Sequence, residues 1–357
     1  MRSNAWWFPI VVVVSLLMAG CAREEKGPTP TGRVNLNGAG ATFPYPLYSK
    51  WFDEYAKTVP EVQINYQSIG SGGGIQQLKA GTVDFGASDA PLSDEETEAM
   101  PGPVVHIPTV AGAVVMAYNL PGVSRLRLTP EVVTDIFLGK TKRWSAQMIA
   151  SLNPTAKMPD LPIAVAHRSD GSGTTYIFTH YLAAVSDVWA DRVGAGKSVD
   201  WPVGIGGKGN EGVTGIVKQT PGAIGYVELA YATQNRLPCA RIRNAAGNFV
   251  EPSVASTTAA AAGAVEKMKQ DIRVGIVNSP APDAYPIAGF TYLLVYRDQK
   301  DRAKGEALTG FLTWAVHDGQ RYADPLLYAP LPPAVVELNE AAIEGIRLQG
   351  VLGEGER

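Results

Sequence analysis

A run of glycines and hydroxyl side chains, residues 169–175, directly follows an arginine near the middle of the chain. Hydroxyl and free backbone N–H groups donate hydrogen bonds, and the arginine guanidinium is a planar, permanently charged donor that suits carboxylate or phosphate. Glycine lets the backbone come close to a ligand. These residue types at this spacing indicate an anion site, and the candidate donors are Arg168 and the hydroxyls of Ser172, Thr174 and Thr175.

Local elements must position these donors. Apolar residues 163–166 predict a strand before the run, and residues 176–182 predict a helix after it. The first N–H groups of a helix lack intrahelical partners, and the helix dipole favours negative charge there. The same stretch equally fits a helix start that Ser172 caps without any ligand, so at this point both interpretations stay open.

The strand, glycine-rich turn and helix pattern occurs twice more. Residues 38–44 precede a helix predicted over 46–55, and residues 68–74 precede a helix predicted over 75–81. Residues 83–91 predict a short strand that ends in an acidic turn at Asp89, a residue that by itself is more typical of a turn or cap. Residues 70–75 do not have the glycine spacing of a dinucleotide fingerprint, and residues 202–209 do not have that of a P-loop.

Composition narrows the functional classes. A chain of 357 residues predicts two domains, and a net charge of −3 disfavours a nucleic-acid binder. Two cysteines and four histidines form no cluster in the sequence, so we expect no metal site and no cofactor.

Catalysis is disfavoured by the surroundings of Ser172. The nucleophile-elbow signature needs glycine two residues before and after the serine, but Asp170 occupies the first of these positions. His167, Asp170 and Ser172 are too close together on one turn to adopt the geometry of a catalytic Ser-His-Asp triad. A metal-dependent phosphohydrolase needs a cluster of carboxylates and histidines, and the sequence has no obvious one. These surroundings therefore disfavour an esterase, a protease and a metal-dependent phosphohydrolase.

The N-terminus predicts export. Arg2 precedes an apolar run over residues 6–19, which is shorter than the roughly 20 residues that cross a bilayer, so residues 1–20 predict a signal peptide. Residues 17–21 resemble a bacterial lipobox, although Met18 departs from the usual leucine, and this predicts lipidation of Cys21. The polar residues 21–32 predict a flexible tether. The alternative is a plain signal peptide that ends near a cysteine.

Predicted strands and helices alternate along the rest of the chain, which indicates an α/β protein with mainly parallel sheets. The apolar, β-branched residues 104–118, which Gly112 interrupts, predict one or two strands that cross from one domain to the other.

Six segments together resemble one family. They are residues 38–44, 70–73, 83–91, 168–174, 206–210 and 221–226. In this order the sequence is similar to the PstS family, the phosphate-binding proteins of bacterial phosphate ABC importers. The resemblance implies a two-lobed periplasmic binding protein fold of type II, in which each lobe has a mainly parallel sheet flanked by helices. It implies a first lobe of residues 33–110 and 287–357, and a second lobe of residues 111–286.

The resemblance also implies which residues bind phosphate in the cleft between the lobes. From the first lobe they are Thr42, Phe43, Ser71 and Asp89. From the second lobe they are Arg168, Ser172, Gly173 and Thr174. Asp170 is expected to pair with Arg168 and orient it.

Asp89 is informative because a carboxylate beside an anion repels it unless the anion brings a proton to donate. Phosphate near neutral pH carries such a proton and sulfate does not, so Asp89 is expected to reject sulfate.

The implied function is high-affinity binding of inorganic phosphate and its delivery to ABC permease subunits in the inner membrane. The protein is expected to be a monomer in the periplasm or at the cell surface, attached to the membrane only through a lipid on Cys21. The alternatives are a secreted phosphatase on the same scaffold and a binder of another oxyanion.

Overall fold

A computed structural model of the protein describes residues 32–349. The predicted signal peptide, the lipidation site Cys21 and all of the predicted tether except Gly32 lie outside the described residues. Within residues 32–349, none of the helices has the length and apolar character needed to cross a membrane.

Helices separate most of the strands of this region, as the sequence predicts. The strands are β1 (Val34–Gly40), β2 (Val62–Ser68), β3 (Phe85–Ser88), β4 (Val104–Tyr118), β5 (Arg127–Leu128), β6 (Ala164–Arg168), β7 (Ile205–Gly207), β8 (Ala223–Glu228), β9 (Arg241–Arg243), β10 (Phe249–Val250), β11 (Ala288–Tyr296), β12 (Asp298–Gln299) and β13 (Arg347–Leu348).

The α-helices are α1 (Tyr45–Thr58), α2 (Ser71–Lys79), α3 (Asp94–Glu98), α4 (Pro130–Phe137), α5 (Gln147–Leu152), α6 (Gly173–Val185), α7 (Asp187–Arg192), α8 (Gly209–Gln219), α9 (Leu229–Gln234), α10 (Val254–Ala262), α11 (Val265–Met268), α12 (Arg302–Val316) and α13 (Pro333–Glu344). Short 3-10 helices cover Asp318–Tyr322 and Asp324–Leu326.

Eight strands form one continuous sheet in the order β2-β1-β3-β11-β4-β8-β6-β7. Its two flanks are parallel, because β1 pairs in parallel with β2 and β3, and β6 pairs in parallel with β7 and β8. The central strands β11 and β4 run antiparallel to their neighbours. The expected α/β fold class is confirmed, with the parallel pairing confined to the flanks.

Strand β4 joins the two halves of the sheet. It is one unbroken strand of 15 residues, which pairs with β11 up to Ala113 and with β8 from Val114 onward. Gly112 therefore does not interrupt it. A Cβ atom at Gly112 would lie 2.5 Å from the ring of Phe43, so glycine is needed for close packing in an extended strand.

The start of α2 differs from the sequence prediction. The helix begins at Ser71 and not at Ile75, so three glycines form its first turn. A Cβ atom at Gly74 would lie 2.5 Å from the backbone of Ala39 and Gly40. Tight packing of this turn on β1 thus outweighs the low helix propensity of glycine.

Candidate functional site

The predicted site residues lie where strands of both halves of the sheet end and helices begin. Thr42 and Phe43 connect β1 to α1, Ser71 opens α2, and Asp89 follows β3. Carboxyl ends of parallel strands share one edge of a sheet, which is where ligands bind in open α/β folds. The second half contributes residues 168–174, between β6 and α6.

Hydrogen bonds across the cleft bring these residues into one cluster. The hydroxyl oxygen of Ser71 accepts the N–H of Gly173 at 3.0 Å and the N–H of Asp89 at 3.3 Å. The N–H of Gly72 donates to the carbonyl of Gly171 at 2.9 Å. Ser71 therefore links Gly173, in the second half of the sheet, to Asp89, in the first half.

Two glycines make this close approach possible. Gly70 has φ +90°, which disfavours other residues, and a Cβ atom there would lie 2.4 Å from a carboxylate oxygen of Asp170. A Cβ atom at Gly173 would lie 2.5 Å from Asp89 and 2.6 Å from the hydroxyl of Ser71. Larger side chains at either position would push the two halves apart.

Thr42 is held by Asn210, a residue that the sequence pattern does not place in the site. The hydroxyl oxygen of Thr42 accepts the backbone N–H of Asn210 at 3.1 Å and its side-chain amide at 2.8 Å. The same amide donates to the hydroxyl of Thr174 at 3.1 Å. Asn210, which is fully buried, therefore links both halves of the sheet and leaves the hydrogen of the Thr42 hydroxyl free to donate.

Arg168 forms a buried ion pair with Asp170. Its Nε donates to Asp170 at 2.8 Å and its Nη2 donates to the second oxygen of the same carboxylate, while Nη1 lies 3.4 Å from the hydroxyl of Thr174. Burial alone would raise the pKa of Asp170, but the hydrogen bonds and charge of Arg168 and the N–H of Gly209 outweigh it and lower that pKa. This buried ion pair fixes the guanidinium plane and leaves Nη1 as its donor toward the cleft.

Asp89 faces the same cleft from the first half. Its side chain accepts a hydrogen bond from the hydroxyl of Thr291 on β11 at 2.8 Å, and it is 3% exposed. Burial raises the pKa of Asp89 to about 7, although the hydrogen bond from Thr291, the charge of Arg168 and the hydroxyl of Ser71 act in the opposite direction. Asp89 can thus act as a hydrogen-bond acceptor or donor near neutral pH.

Ser172 serves as the N-cap of α6. Its hydroxyl oxygen accepts the N–H of Thr175 at 3.0 Å, and its own N–H donates to the carbonyl of Lys197 at 2.8 Å. The capping interpretation is therefore correct for this oxygen. The hydroxyl hydrogen is still available, and Ser172 is fully buried beside the other donors.

The cluster as a whole is buried and rich in hydrogen-bond donors. Thr42, Ser71, Arg168 and Thr174 are each at most 3% exposed. Dehydrating an oxyanion is costly, and convergent N–H and O–H groups replace the lost hydrogen bonds with little net charge. Among residues 32–349, no group of three histidine, cysteine, aspartate or glutamate side chains is placed to hold a metal ion.

These features define the class of the protein. Two α/β halves joined through the long strand β4, with buried polar groups where they meet, are the features of a two-lobed solute-binding protein. In agreement, residues 26–318 match the family model of the PBP superfamily domain.

Curated relatives narrow the family. The chain is 46% identical over 330 residues to the phosphate-binding protein PstS of Xylella fastidiosa, with 90% of each chain covered. It is 36% identical over 369 residues to PstS of Methanocaldococcus jannaschii, with 95% of this chain and 93% of that protein covered. The chain belongs to the PstS family of phosphate-binding proteins.

Solved structures share the fold. The phosphate-binding protein of Stenotrophomonas maltophilia is 22% identical and superimposes with a TM-score of 0.66 over 86% of this chain and 93% of that chain. A high-affinity periplasmic phosphate-binding protein of the DING type, bound with phosphate, is also 22% identical, with a TM-score of 0.67 over 89% of this chain and all of that chain.

Proposed function

We propose that the protein binds inorganic phosphate in the buried cleft and delivers it to the permease of an ABC importer, without chemical change to the phosphate. The observation that carries this proposal is the cluster of buried donors around one acidic residue, in a chain related to PstS proteins over 90% of its length.

Each predicted ligand residue has a role in this proposal. The backbone and hydroxyl of Thr42, the backbone of Phe43 and the hydroxyl of Ser71 donate from the first lobe. Nη1 of Arg168 and the start of α6 donate from the second. The donors of the second lobe are Arg168, Ser172, Gly173 and Thr174.

Asp89 supplies the selectivity in this proposal. A monohydrogen or dihydrogen phosphate carries a hydrogen that the ionised Asp89 carboxylate can accept, whereas sulfate beside the ionised carboxylate leaves two acceptors facing each other. Arg168 and Asp170 cancel each other's charge, so binding depends on hydrogen bonds and helix starts more than on net charge.

The lobe boundaries near residues 110 and 287 belong to the same proposal. The change of partner along β4, from β11 to β8, supports a division there. We also propose that the protein acts as a monomer in the periplasm or at the cell surface, anchored by a lipid on Cys21.

Equilibrium dialysis of the purified protein with radiolabelled phosphate tests the function. We expect one phosphate bound per chain and no displacement by a large excess of sulfate. Equal displacement by sulfate would assign the site to another oxyanion. A chromogenic phosphate ester added in parallel distinguishes an enzyme, because sustained turnover would contradict a purely binding role.

A further inference from the structure

Glu228 is a buried acid behind the proposed phosphate site with no role so far. It ends β8, and its side chain is completely buried. Its Oε2 accepts the N–H of Ala230 at 2.8 Å and lies 3.1 Å from the hydroxyl of Tyr328. Its Oε1 has no hydrogen-bond partner among the residues that the structure describes.

The Tyr328 hydroxyl shows which form of Glu228 fits. This hydroxyl lies 2.7 Å from the carbonyl oxygen of Phe43, which can only accept. A phenol has one hydrogen to donate. When the Tyr328 hydroxyl donates it to the carbonyl of Phe43, the contact between the Tyr328 oxygen and Oε2 of Glu228 needs a hydrogen from Glu228. A protonated Glu228 carboxyl supplies that hydrogen, whereas an ionised one would compete with Phe43 for the hydrogen of Tyr328.

The surroundings also favour the neutral carboxyl. The titratable groups that face Glu228 are Asp89, Tyr231, Cys239 and Tyr328. All four are acids, so none of them offsets a negative charge on Glu228. Burial raises the pKa of Glu228 well above its ordinary value, and the charge of Asp89 acts in the same direction against the hydrogen bonds of Ala230 and Tyr328.

Glu228 is connected to both lobes of the proposed site. Through Tyr328 it reaches the carbonyl of Phe43, which lies in the first lobe. The backbone N–H of Glu228 donates to the side-chain oxygen of Asn210 at 2.9 Å. This bond orients the Asn210 amide, which donates to the hydroxyl of Thr42. We propose that Glu228 is a positioning residue that, in its neutral form, holds the Thr42–Phe43 loop against the second lobe in the phosphate-binding arrangement.

This inference rests on the proposed function, and phosphate calorimetry on the whole protein tests it. We expect Glu228→Ala and Tyr328→Phe each to weaken phosphate binding about tenfold or more, because each breaks the connection to Phe43. Glu228→Gln keeps a neutral polar group and is expected to bind at least about threefold more tightly than Glu228→Ala. Glu337→Gln, an exposed glutamate in α13, is the matched control.

Tyr328→Phe retains the ring that packs on Phe43, so this variant answers the question even where Glu228→Ala fails to fold. Wild-type affinity in Tyr328→Phe would overturn the positioning role, whether or not Glu228→Ala folds. Failure of the wild-type protein to bind phosphate would instead overturn the proposed function.

Infrared spectroscopy tests the neutral form independently of affinity. The wild-type protein should show the C=O band of a buried protonated carboxyl at neutral pH. We expect Glu228→Gln to lose a band that Asp89→Asn retains. If every carboxyl C=O band of the wild-type spectrum remains in Glu228→Gln, Glu228 is not protonated.

Discussion

Replacing Asp89 by asparagine changes one oxygen of the proposed site into a nitrogen and removes its charge. The Asp89 carboxylate is 3% exposed and is fixed by the hydroxyl of Thr291 at 2.8 Å. That hydroxyl can also accept a hydrogen bond, so an asparagine can turn its amide nitrogen toward Thr291 and its oxygen toward the phosphate hydrogen. For sulfate, the same asparagine can turn the other way and donate.

We therefore expect Asp89→Asn to change the affinity for sulfate more than the affinity for phosphate. A hydrogen bond to a charged group contributes about 1.5–3 kcal/mol, and an unpaired buried acceptor costs a similar amount. We expect Asp89→Asn to reduce the preference for phosphate over sulfate by about 1.5–3 kcal/mol, or roughly 10- to 150-fold. Phosphate affinity itself should weaken less than about tenfold.

The pH dependence gives a second check on the same group. The pKa of Asp89 is raised to about 7, so the carboxyl is mainly protonated below this pH and can then donate to sulfate. The preference of the wild-type protein for phosphate should fall as the pH is lowered from 8.5 through 7 to 5.5. Competition titrations in which Asp89→Asn keeps full wild-type selectivity at pH 8 would refute the role of Asp89.

Three further predictions address the ion pairs and the buried glutamate. Arg168→Ala removes a donor and leaves Asp170 without its partner, so phosphate binding should weaken at least about 30-fold in calorimetry, and wild-type affinity would refute the role of Arg168. Lys197 on the second lobe lies 2.6 Å from Glu96 on the first, so Lys197→Met should speed phosphate release about 1.5- to 5-fold in stopped-flow measurements. The double exchange Glu96→Lys with Lys197→Glu should restore slow release, and an unchanged rate in Lys197→Met would show that the pair does not hold the lobes. Because the pKa of Glu228 is raised in the folded protein, its contribution to stability is fully present at a pH below the unfolded-state pKa of about 4.3 and is lost as the pH rises. The unfolding free energy of Glu228→Gln should therefore increase relative to that of the wild type by up to about 1.4 kcal/mol per pH unit. Urea unfolding from pH 5 to 8 measures this gain, and a difference that stays constant with pH would contradict the assignment.

The residues that local pattern could place are those on the loops between a strand and a helix. Thr42, Ser71 and Arg168 each lie where an apolar run gives way to glycines and hydroxyls, and the structure brings all three together. Their positions in the site could be predicted because the signals for the strand, the turn and the helix are adjacent in the sequence.

Other parts of the site depend on contacts between distant residues. Asn210 reaches Thr42 across 168 positions, and Thr291 reaches Asp89 across 202. Glu228 lies in an apolar strand and meets Tyr328 only through the fold. No local periodicity marks such side chains. The start of α2 was missed for a related reason, because packing against β1 stabilises a turn that glycine propensity disfavours.

A crystal structure of the protein grown with phosphate in excess sulfate tests the central claim most directly. We expect phosphate in the cleft, with donors from Thr42, Ser71, Arg168 and Thr174 at about 2.7–3.1 Å and one phosphate oxygen on Asp89 at hydrogen-bond distance. Sulfate in that position, or phosphate bound only outside the cleft, would contradict the account.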